Sequence, residues 1–190
     1  MKSQQKVLIT GATSGLGLEF AQLAQEAGWQ LLLTGRNAKA LDELQTKYAS
    51  AKTHMADLST EEGLASLLAW ISDQPLDALI NNAGFGLGCD IVASKQPVLD
   101  DMVAVNIKAL VTLSRTAAIG MIKRGTGRIL NVASIAAFMP GPYLATYYAS
   151  KAFVLSFSEA MHHELKGSGV TCTTLCPGPT KTELSACLLD

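Results

Sequence analysis

Residues 7–28, VLITGATSGLGLEFAQLAQEAG, run from an apolar strand through a glycine-rich turn into an amphipathic helix. Gly11, Gly15 and Gly17 are spaced G-x-x-x-G-x-G. Glycine lets the backbone turn tightly and approach a phosphate without a clashing Cβ, and the free N–H groups of the following helix favour negative charge. An ordinary tight turn would also use glycines, but the position at the first strand-to-helix junction indicates a dinucleotide site.

The alternation of strand and helix continues along the whole chain. Nearly continuous apolar runs, as in strands buried on both faces, occur at 6–10, 30–34, 52–56, 77–81, 128–132 and 170–175. Helical periodicity predicts helices at about 15–28, 37–49, 60–73, 97–124 and 146–167. We therefore expect a single α/β domain over 1–190, with a Rossmann-type, doubly wound parallel sheet in three layers and right-handed βαβ units.

The composition is that of a folded, nearly neutral protein. Hydrophobic residues make up 48% of the 190 residues and charged residues 16%, which argues against a disordered chain. With 15 basic and 16 acidic side chains the formal net charge is -1. This charge gives no electrostatic attraction for nucleic acid or for an anionic membrane, so we predict neither partner.

The sequence carries no signal for a membrane or for an oxidising compartment. The N-terminus MKSQQKVLIT lacks the apolar core of a signal peptide, and no uncharged apolar run approaches the ~20 residues of a membrane helix. The cysteines form no C-x-x-C pair and no metal-like cluster with histidine; they are Cys89, Cys172, Cys176 and Cys187. We expect a soluble cytoplasmic protein with buried free thiols and no metal, and with Cys172 and Cys176 on one face of a strand.

An arginine marks the end of the second predicted strand. Arg36, in TGRN, lies nineteen residues after Gly17, with no Asp or Glu beside it. In a dinucleotide fold an acidic residue here accepts the ribose hydroxyls of NAD, whereas an arginine pairs with the 2′-phosphate of NADP. A solvated loop arginine is the alternative. The sequence favours NADP(H) over NAD(H).

Several separate motifs resemble, in their order, those of the short-chain dehydrogenases/reductases. They are TGATSGLG (10–17), DL (57–58), NNAG (81–84), Asn106 in VAVNIKAL, Ser134 in NVASI, YYASK (147–151) and PGPTKT (177–182). Together they span nearly the whole chain. The resemblance implies a Rossmann fold and hydride transfer between a nicotinamide cofactor and an alcohol or carbonyl compound.

Two adjacent tyrosines precede Lys151. Helical spacing brings both Tyr147 and Tyr148 near the lysine, so spacing alone does not choose between them. The family pattern Y-x-x-x-K selects Tyr147 as general acid/base. We expect the Lys151 ammonium to lower the pKa of Tyr147, so that the phenol can exchange a proton with a carbonyl oxygen. The resemblance implies that Lys151 also bonds the nicotinamide ribose. An exposed Tyr–Lys pair on a helix is the alternative.

Two further residues complete the catalytic set that the resemblance implies. Ser134 ends the fifth predicted strand, where its hydroxyl can orient the substrate oxygen and stabilise developing charge, although a serine there can also cap a turn. Asn106 is similar to the family asparagine that anchors a proton-relay water. A polar residue on the surface of a long helix is the alternative for Asn106.

The resemblance also implies a set of cofactor contacts. Asn82 ties neighbouring strands together, Ala83 and Gly84 leave room for adenosine, Asp57 contacts adenine, and the segment after Pro177 holds the nicotinamide amide, unless that segment is an ordinary loop. The full set is Gly11, Thr13, Ser14, Gly15, Leu16, Gly17, Arg36, Asp57, Leu58, Asn82, Ala83, Gly84, Tyr147, Lys151, Pro177, Gly178, Thr180 and Thr182.

The chain departs from the family pattern in two places. Ser14 precedes Gly15 where many NADP-preferring relatives carry a basic residue, which leaves Arg36 with most of the 2′-phosphate selectivity. Family members also usually continue well beyond the P-G motif. We therefore expect the last strand and the C-terminal substrate-covering segment to be missing, and the strand at 170–175 to be a sheet edge.

The leading hypothesis is an NADP(H)-dependent oxidoreductase that interconverts a small-molecule alcohol and a ketone or aldehyde. The alternative is a catalytically impaired or non-catalytic nucleotide-binding protein, such as a sensor or truncated relative. Large apolar residues lie near the motifs in sequence and would suit either the wall of a substrate pocket or packing in the core or a lid. They are Phe85, Phe138, Met139 and Tyr143.

By analogy with the family we expect a homodimer formed through the helices near 97–124 and 146–167. Phe153, Phe157 and Met161 recur at helical spacing and suit such an interface, but they suit the intramolecular core equally.

Overall fold

The structure, a computed structural model, describes residues 4–179 and contains one six-stranded sheet. Every neighbouring pair of strands is parallel, and the strand order is β3-β2-β1-β4-β5-β6. The strands are β1 (Lys6–Thr10), β2 (Gln30–Gly35), β3 (Lys52–Met55), β4 (Ala78–Asn81), β5 (Gly127–Val132) and β6 (Val170–Leu175). The predicted Rossmann-type parallel sheet is confirmed, while the single domain over 1–190 stays a prediction.

Helices connect the strands as the sequence periodicity predicts. They are α1 (Gly15–Glu26), α2 (Ala38–Lys47), α3 (Glu61–Ile71), α4 (Gln96–Val103), α5 (Leu110–Arg124) and α6 (Ala145–Glu164). The helix expected at 97–124 is continuous but contains a π-helical segment, Ala104–Ala109, between α4 and α5. A short 3₁₀ turn, Ile135–Phe138, follows β5. Neither irregular segment has a signal in the hydrophobic periodicity.

Local side-chain chemistry sets the ends of several helices. Asn37 caps α2 by accepting a hydrogen bond from the Ala40 N–H (3.1 Å), and Thr60 caps α3 by accepting one from the Gly63 N–H (3.0 Å). Gly125 ends α5 in the left-handed conformation (φ 68°). Asn37 and Thr60 thus define the starts of two helices at the carboxyl edge of the sheet, whereas Gly125 ends a helix at the opposite edge, before β5.

The core lies on both faces of the sheet because successive strand residues point to opposite sides. Leu8 and Leu32 pack with side chains of α3 and α5, whereas their neighbours in β1 and β2 pack with α1 and α2. A buried polar network crosses the other half of the sheet. The Asn81 amide donates to Asn131 Oδ1 (2.8 Å), and the Asn131 amide donates to Ser158 Oγ (2.9 Å), which ties β4 and β5 to α6.

The two outer strands differ from the continuous burial that their sequences predict. No residue of β3 is buried, and β6 alternates at its start between buried and exposed side chains because each strand has a neighbour on one side only among the described residues. Within residues 4–179, β6 lies at one edge of the sheet, and the expectation that no further strand follows it stays a prediction. The placement of Cys172 and Cys176 on one strand face is wrong: Cys172 is buried in β6, but β6 ends at Leu175 and Cys176 follows it, partly exposed.

One helix in the described part of the chain, Gln96–Arg124, is long and apolar enough to cross a membrane by length and composition alone. Half of its most apolar window is buried inside the domain. The core helix of a folded domain passes the same test, so this helix is weak evidence for a membrane span.

Candidate active site

The glycine-rich turn between β1 and α1 leaves no room for a side chain at Gly11 or Gly17. Gly11 has φ 62°, and a Cβ there would lie 2.9 Å from the Ala83 Cα. A Cβ at Gly17 would overlap the Gly11 carbonyl oxygen. Only glycine permits this close approach of the loop after β4 to the start of α1.

The start of α1 presents backbone N–H groups that no side chain caps. The N-cap residue Ser14 makes no side-chain capping hydrogen bond, and the first turn of the helix contains no acidic residue. Thr13 lies beside this turn and packs against the end of β2, where a Cβ at Gly35 would approach its methyl group to 2.9 Å. Free N–H groups without a competing carboxylate fit a dinucleotide pyrophosphate.

A set of hydrogen bonds fastens the glycine turn to the loop after β4. The Thr10 hydroxyl accepts from the N–H groups of Asn82 (3.1 Å) and Ala83 (3.0 Å). The Asn82 amide donates to the carbonyl oxygens of Thr10 and Gly11, both at 3.0 Å. Asn82 therefore joins β1 to β4. Thr10 is absent from the residues predicted for the site, although a threonine ending a strand before glycine is a visible signal.

Arg36 and Asp57 lie at the neighbouring carboxyl ends of β2 and β3. Arg36 is exposed immediately after β2. The pKa of Asp57 is lowered, chiefly because its carboxylate accepts a hydrogen bond from the Ser59 N–H (3.0 Å), and the Arg36 charge adds to the effect against partial burial. Leu58 points into the core rather than into this corner.

Tyr147 and Lys151 lie one turn apart on α6, and both are buried. Tyr147 is 6% exposed and Lys151 is 5% exposed. The Lys151 ammonium donates to the Val132 carbonyl at the end of β5 (2.9 Å) and lies 5.8 Å from the centre of the Tyr147 ring. Tyr148 instead packs against Gly141, where a Cβ would lie 2.5 Å from its ring. The structure therefore distinguishes the two tyrosines, which sequence spacing does not.

Burial controls the protonation of both groups. The pKa of Tyr147 is raised because its phenol is buried, while a hydrogen bond with the Ser134 hydroxyl acts in the opposite direction. The expectation that Lys151 lowers this pKa is wrong, since burial outweighs the other influences on the phenol. The same burial lowers the pKa of Lys151 to about 8. Tyr147 is therefore a neutral phenol, a proton donor, at neutral pH.

Ser134 lies between β5 and the 3₁₀ turn. Its hydroxyl oxygen accepts a hydrogen bond from the Ala136 N–H (3.1 Å), so the serine does cap a turn, and the same hydroxyl interacts with Tyr147. The next residue, Ile135, donates its N–H to the Pro177 carbonyl (3.0 Å). This bond brings the loop after β6 to the same place.

Asn106 is buried inside the π-helical segment, so the alternative of a polar residue on the helix surface is wrong. Its amide oxygen accepts from the Phe85 N–H (3.1 Å), and its amide nitrogen donates to the Phe85 carbonyl (2.9 Å) and to Ser150 Oγ (3.0 Å). Ser150 donates in turn to the Tyr147 carbonyl (2.7 Å). The side chain thus has no free N–H for a water, and it fastens the loop after β4 to the helix that carries Tyr147. Ser150 is absent from the residues predicted for the site.

Five further predicted residues fall into three groups. Gly84 lies against the catalytic set, since a Cβ there would be 3.1 Å from Asn106 Oδ1 and 3.2 Å from Lys151 Nζ. Pro177 and Gly178 follow β6, with Gly178 in open space. Thr180 and Thr182 lie outside the described residues, so their predicted contacts stay predictions.

The site as a whole collects the loops that follow β1, β2, β4, β5 and β6 at one edge of the sheet, where parallel α/β sheets bind ligands. Uncapped helix donors and the glycine turn fit the phosphates of a dinucleotide, and a buried phenol beside a serine hydroxyl lies farther along the same edge. Within residues 4–179, no group of three His, Cys, Asp or Glu side chains could hold a metal ion.

Comparison with known proteins agrees with this geometry. The sequence model described as short chain dehydrogenase matches residues 5–189. The chain is 35% identical over 192 residues to sulfoacetaldehyde reductase 2 of Chromohalobacter salexigens, covering 94% of this chain and 74% of that protein. It is 37% identical over 186 residues to serine 3-dehydrogenase of Rhizobium radiobacter, covering 94% and 73%.

Solved structures show the same fold. A short-chain dehydrogenase from Sphingobium yanoikuyae in complex with NADPH superimposes with a TM-score of 0.92 at 31% identity, covering 98% of this chain and 75% of that one. The bulky-bulky ketone specific alcohol dehydrogenase from Comamonas testosteroni gives a TM-score of 0.90 at 28% identity, with 95% and 75% covered.

The sheet order, the glycine turn and the buried phenol define the class as Rossmann-type oxidoreductases that use a nicotinamide cofactor. Within that class, the chain belongs to the short-chain dehydrogenase family. The predicted family resemblance is confirmed.

Proposed function

We propose that the protein is an NADP(H)-dependent oxidoreductase that interconverts an alcohol and a ketone or aldehyde, with Tyr147 as general acid/base. The observation that carries this proposal is the buried Tyr147 side chain, which lies beside Ser134 and one helical turn from Lys151 at the ligand-binding edge of the sheet. A buried proton donor beside a second hydroxyl suits a carbonyl oxygen that gains negative charge as it is reduced.

The reacting carbonyl oxygen would bond to the Tyr147 and Ser134 hydroxyls. NADPH, when bound, would supply the hydride for the carbonyl carbon and so act as the two-electron reductant. Tyr147 gives its proton to the oxygen, so that the C=O group becomes CH–OH, and the phenolate takes a proton back from solvent. Because burial raises the pKa of Tyr147, the phenol is protonated at neutral pH and can donate its proton to the carbonyl oxygen.

The residues that would hold the cofactor lie on successive loops. The glycine turn and the N–H groups at the start of α1 would bind the pyrophosphate, and Arg36 would pair with the 2′-phosphate. Lys151 is close enough to Gly84 and the phenol to bond the nicotinamide ribose. The relatives solved with NADPH and NADP support a nicotinamide cofactor of this type.

A Tyr147→Phe variant tests the proposal against the alternative of a non-catalytic nucleotide-binding protein. Tyr147→Phe keeps the ring and removes the proton, so we expect kcat for NADPH-dependent ketone reduction to fall by about 10²–10⁴-fold with NADPH affinity unchanged. Tyr148→Phe is the matched control and should retain turnover. Equal turnover by both variants, or no reduction of any carbonyl compound by the unaltered chain despite bound NADPH, would favour the non-catalytic alternative.

Assembly and location extend the same proposal. We propose a homodimer through the long helix Gln96–Arg124 and α6. These helices carry exposed apolar side chains, among them Ile119, Ile122 and Phe153, whereas Met161 is buried in the core. A cytoplasmic location, and the absence of metal, membrane and nucleic-acid partners, stay predictions from the composition.

A further inference from the structure

The segment between Ser134 and α6 exposes large apolar side chains beside the catalytic residues. Phe138 is 65% exposed, Met139 55% and Tyr143 69%. We name these three residues the apolar rim. Single exposed apolar residues are ordinary, but three within six positions at a ligand-binding edge are typical of a binding surface.

The apolar rim is joined to the surroundings of Tyr147 on both sides. Leu144 and Ala136, next to the rim in sequence, pack against Tyr147 in one cluster with Phe85 and Leu87 of the loop after β4. The Cys89 N–H of that loop donates to the Tyr143 carbonyl (2.7 Å). Apolar side chains from two loops therefore surround the phenol that would receive the substrate.

No formal charge accompanies this surface. Residues 134–150 contain no Asp, Glu, Lys, Arg or His, and neither do residues 82–89. Lys151, which follows the first of these segments, is buried and donates to the Val132 carbonyl. A substrate carboxylate, sulfonate or phosphate needs an arginine or lysine to offset its lost hydration, and these two segments offer none.

The backbone at Tyr143 gives a separate indication. Tyr143 has φ 64°, and it is the one non-glycine residue with positive φ in the part of the chain that the structure describes. A bulky residue is unfavourable in this conformation, and the exposed ring gains little burial in return. Such strain is often found at ligand sites, where it holds a side chain in place for a partner.

We propose that the substrate is an uncharged carbonyl compound with a bulky apolar group that packs on the apolar rim while its carbonyl oxygen reaches Tyr147 and Ser134. This inference rests on the proposed function. It adds the substrate class, an apolar ketone or aldehyde rather than an anionic one.

The first experiment compares methyl hexyl ketone with the same methyl ketone ended by a carboxylate. Both present one reactive group on a chain of equal length, and both are measured with NADPH and the full chain. We expect kcat/KM to be at least about tenfold higher for the uncharged ketone, because the rim offers apolar contact and no cation. Equal or better use of the carboxylate would overturn the inference and leave the proposed function intact.

Variants then test the rim itself. Phe138→Ala and Tyr143→Gly should each raise KM for methyl hexyl ketone by roughly threefold to tenfold. Tyr143→Gly also removes the strain of the positive φ angle, so this variant should fold at least as well as the unaltered chain. A raised KM in Tyr143→Gly would then report a lost contact with the substrate and not misfolding. Leu23→Ala is the control, because Leu23 is an exposed apolar residue on α1 away from the rim. Unchanged KM in both rim variants would overturn the inference.

A binding measurement separates this inference from the proposed function. Calorimetry with the Tyr147→Phe variant and NADP⁺ reports ligand affinity without turnover. If the uncharged ketone binds and the carboxylate does not, while the unaltered chain reduces neither, the substrate class stands and the catalytic proposal fails. If neither ketone binds, or if the rim variants change the mass measured by light scattering but not KM, the rim has another occupant, such as a second copy, and the inference is wrong.

Discussion

The cofactor side and the substrate side of this site are built differently. At the cofactor side, glycine backbone, the Thr10 hydroxyl and the Asn82 amide are linked by hydrogen bonds of 3.0–3.1 Å across β1 and β4. At the substrate side, one backbone hydrogen bond, from Cys89 to Tyr143, joins the two loops, and the apolar rim faces solvent.

This difference indicates how substitutions on each side should affect ligand binding and stability. The cofactor side is determined by close backbone contacts that exclude a Cβ, so nearly any substitution there disturbs the binding surface. The substrate side depends on exposed side chains that few neighbours constrain, so substitutions there should alter selectivity at little cost in stability.

The largest expected effect comes from adding one methyl group on the cofactor side. In Gly17→Ala the new Cβ overlaps the Gly11 carbonyl, so the turn has to shift and we expect NADPH affinity to fall by about 100-fold or more. Fluorescence titration with NADPH measures the loss. Gly28→Ala is the control, because nothing lies within 4 Å of a Cβ there and its strained φ should lower stability but not affinity. Tight NADPH binding by Gly17→Ala would mean that the cofactor side tolerates substitution as well as the substrate side does.

A second prediction concerns the pH dependence of stability at the junction of the two sides. The folded-state pKa of Lys151, about 8, lies below its ordinary value of 10.5. Between these values the unfolded chain binds more protons, so Lys151 makes the unfolding free energy rise as the pH increases, by on the order of 3 kcal/mol. In Lys151→Met this contribution is absent, and urea unfolding at several pH values should show a flatter profile. Identical profiles would mean that the ammonium is not desolvated.

The smallest effect is expected on the substrate side. Tyr143→Gly removes an exposed ring and places glycine at φ 64°, so we expect a gain of about 0.5–1 kcal/mol in the free energy of unfolding. Denaturant unfolding measures it, and Tyr143→Ala, which keeps a Cβ in the same conformation, is the control. A loss of stability in the glycine variant would show that the Tyr143 ring stabilises the fold and is not kept exposed for ligand binding.

Much of this architecture can be predicted from sequence alone. The six strands lie within two residues of their predicted bounds, because apolar runs and glycine turns are local signals. The π-helical segment around Asn106 was not predicted, since it depends on the bonds that Asn106 makes to Phe85 and Ser150, far away in sequence.

The pKa of Tyr147 shows more clearly what cannot be predicted from sequence spacing. Spacing places Lys151 near Tyr147 and predicts a lowered phenol pKa, but the burial that raises it comes from Met102, Phe85 and Leu144 in other segments. The burial of the two outer strands is mispredicted for a similar reason. The number of strands beside β3 and β6 is a property of the sheet and not of each strand's own sequence.

The central claim, an NADP(H) site built on the glycine turn and Arg36, is tested most directly by one titration. The full chain is titrated with NADPH and with NADH, followed by the fluorescence of the reduced cofactor, alongside Arg36→Ser. We predict that NADPH binds at least about tenfold more tightly than NADH and that Arg36→Ser removes this preference while keeping NADH affinity. Equal affinities in the unaltered chain would contradict the 2′-phosphate assignment, and no binding of either cofactor would contradict the whole account.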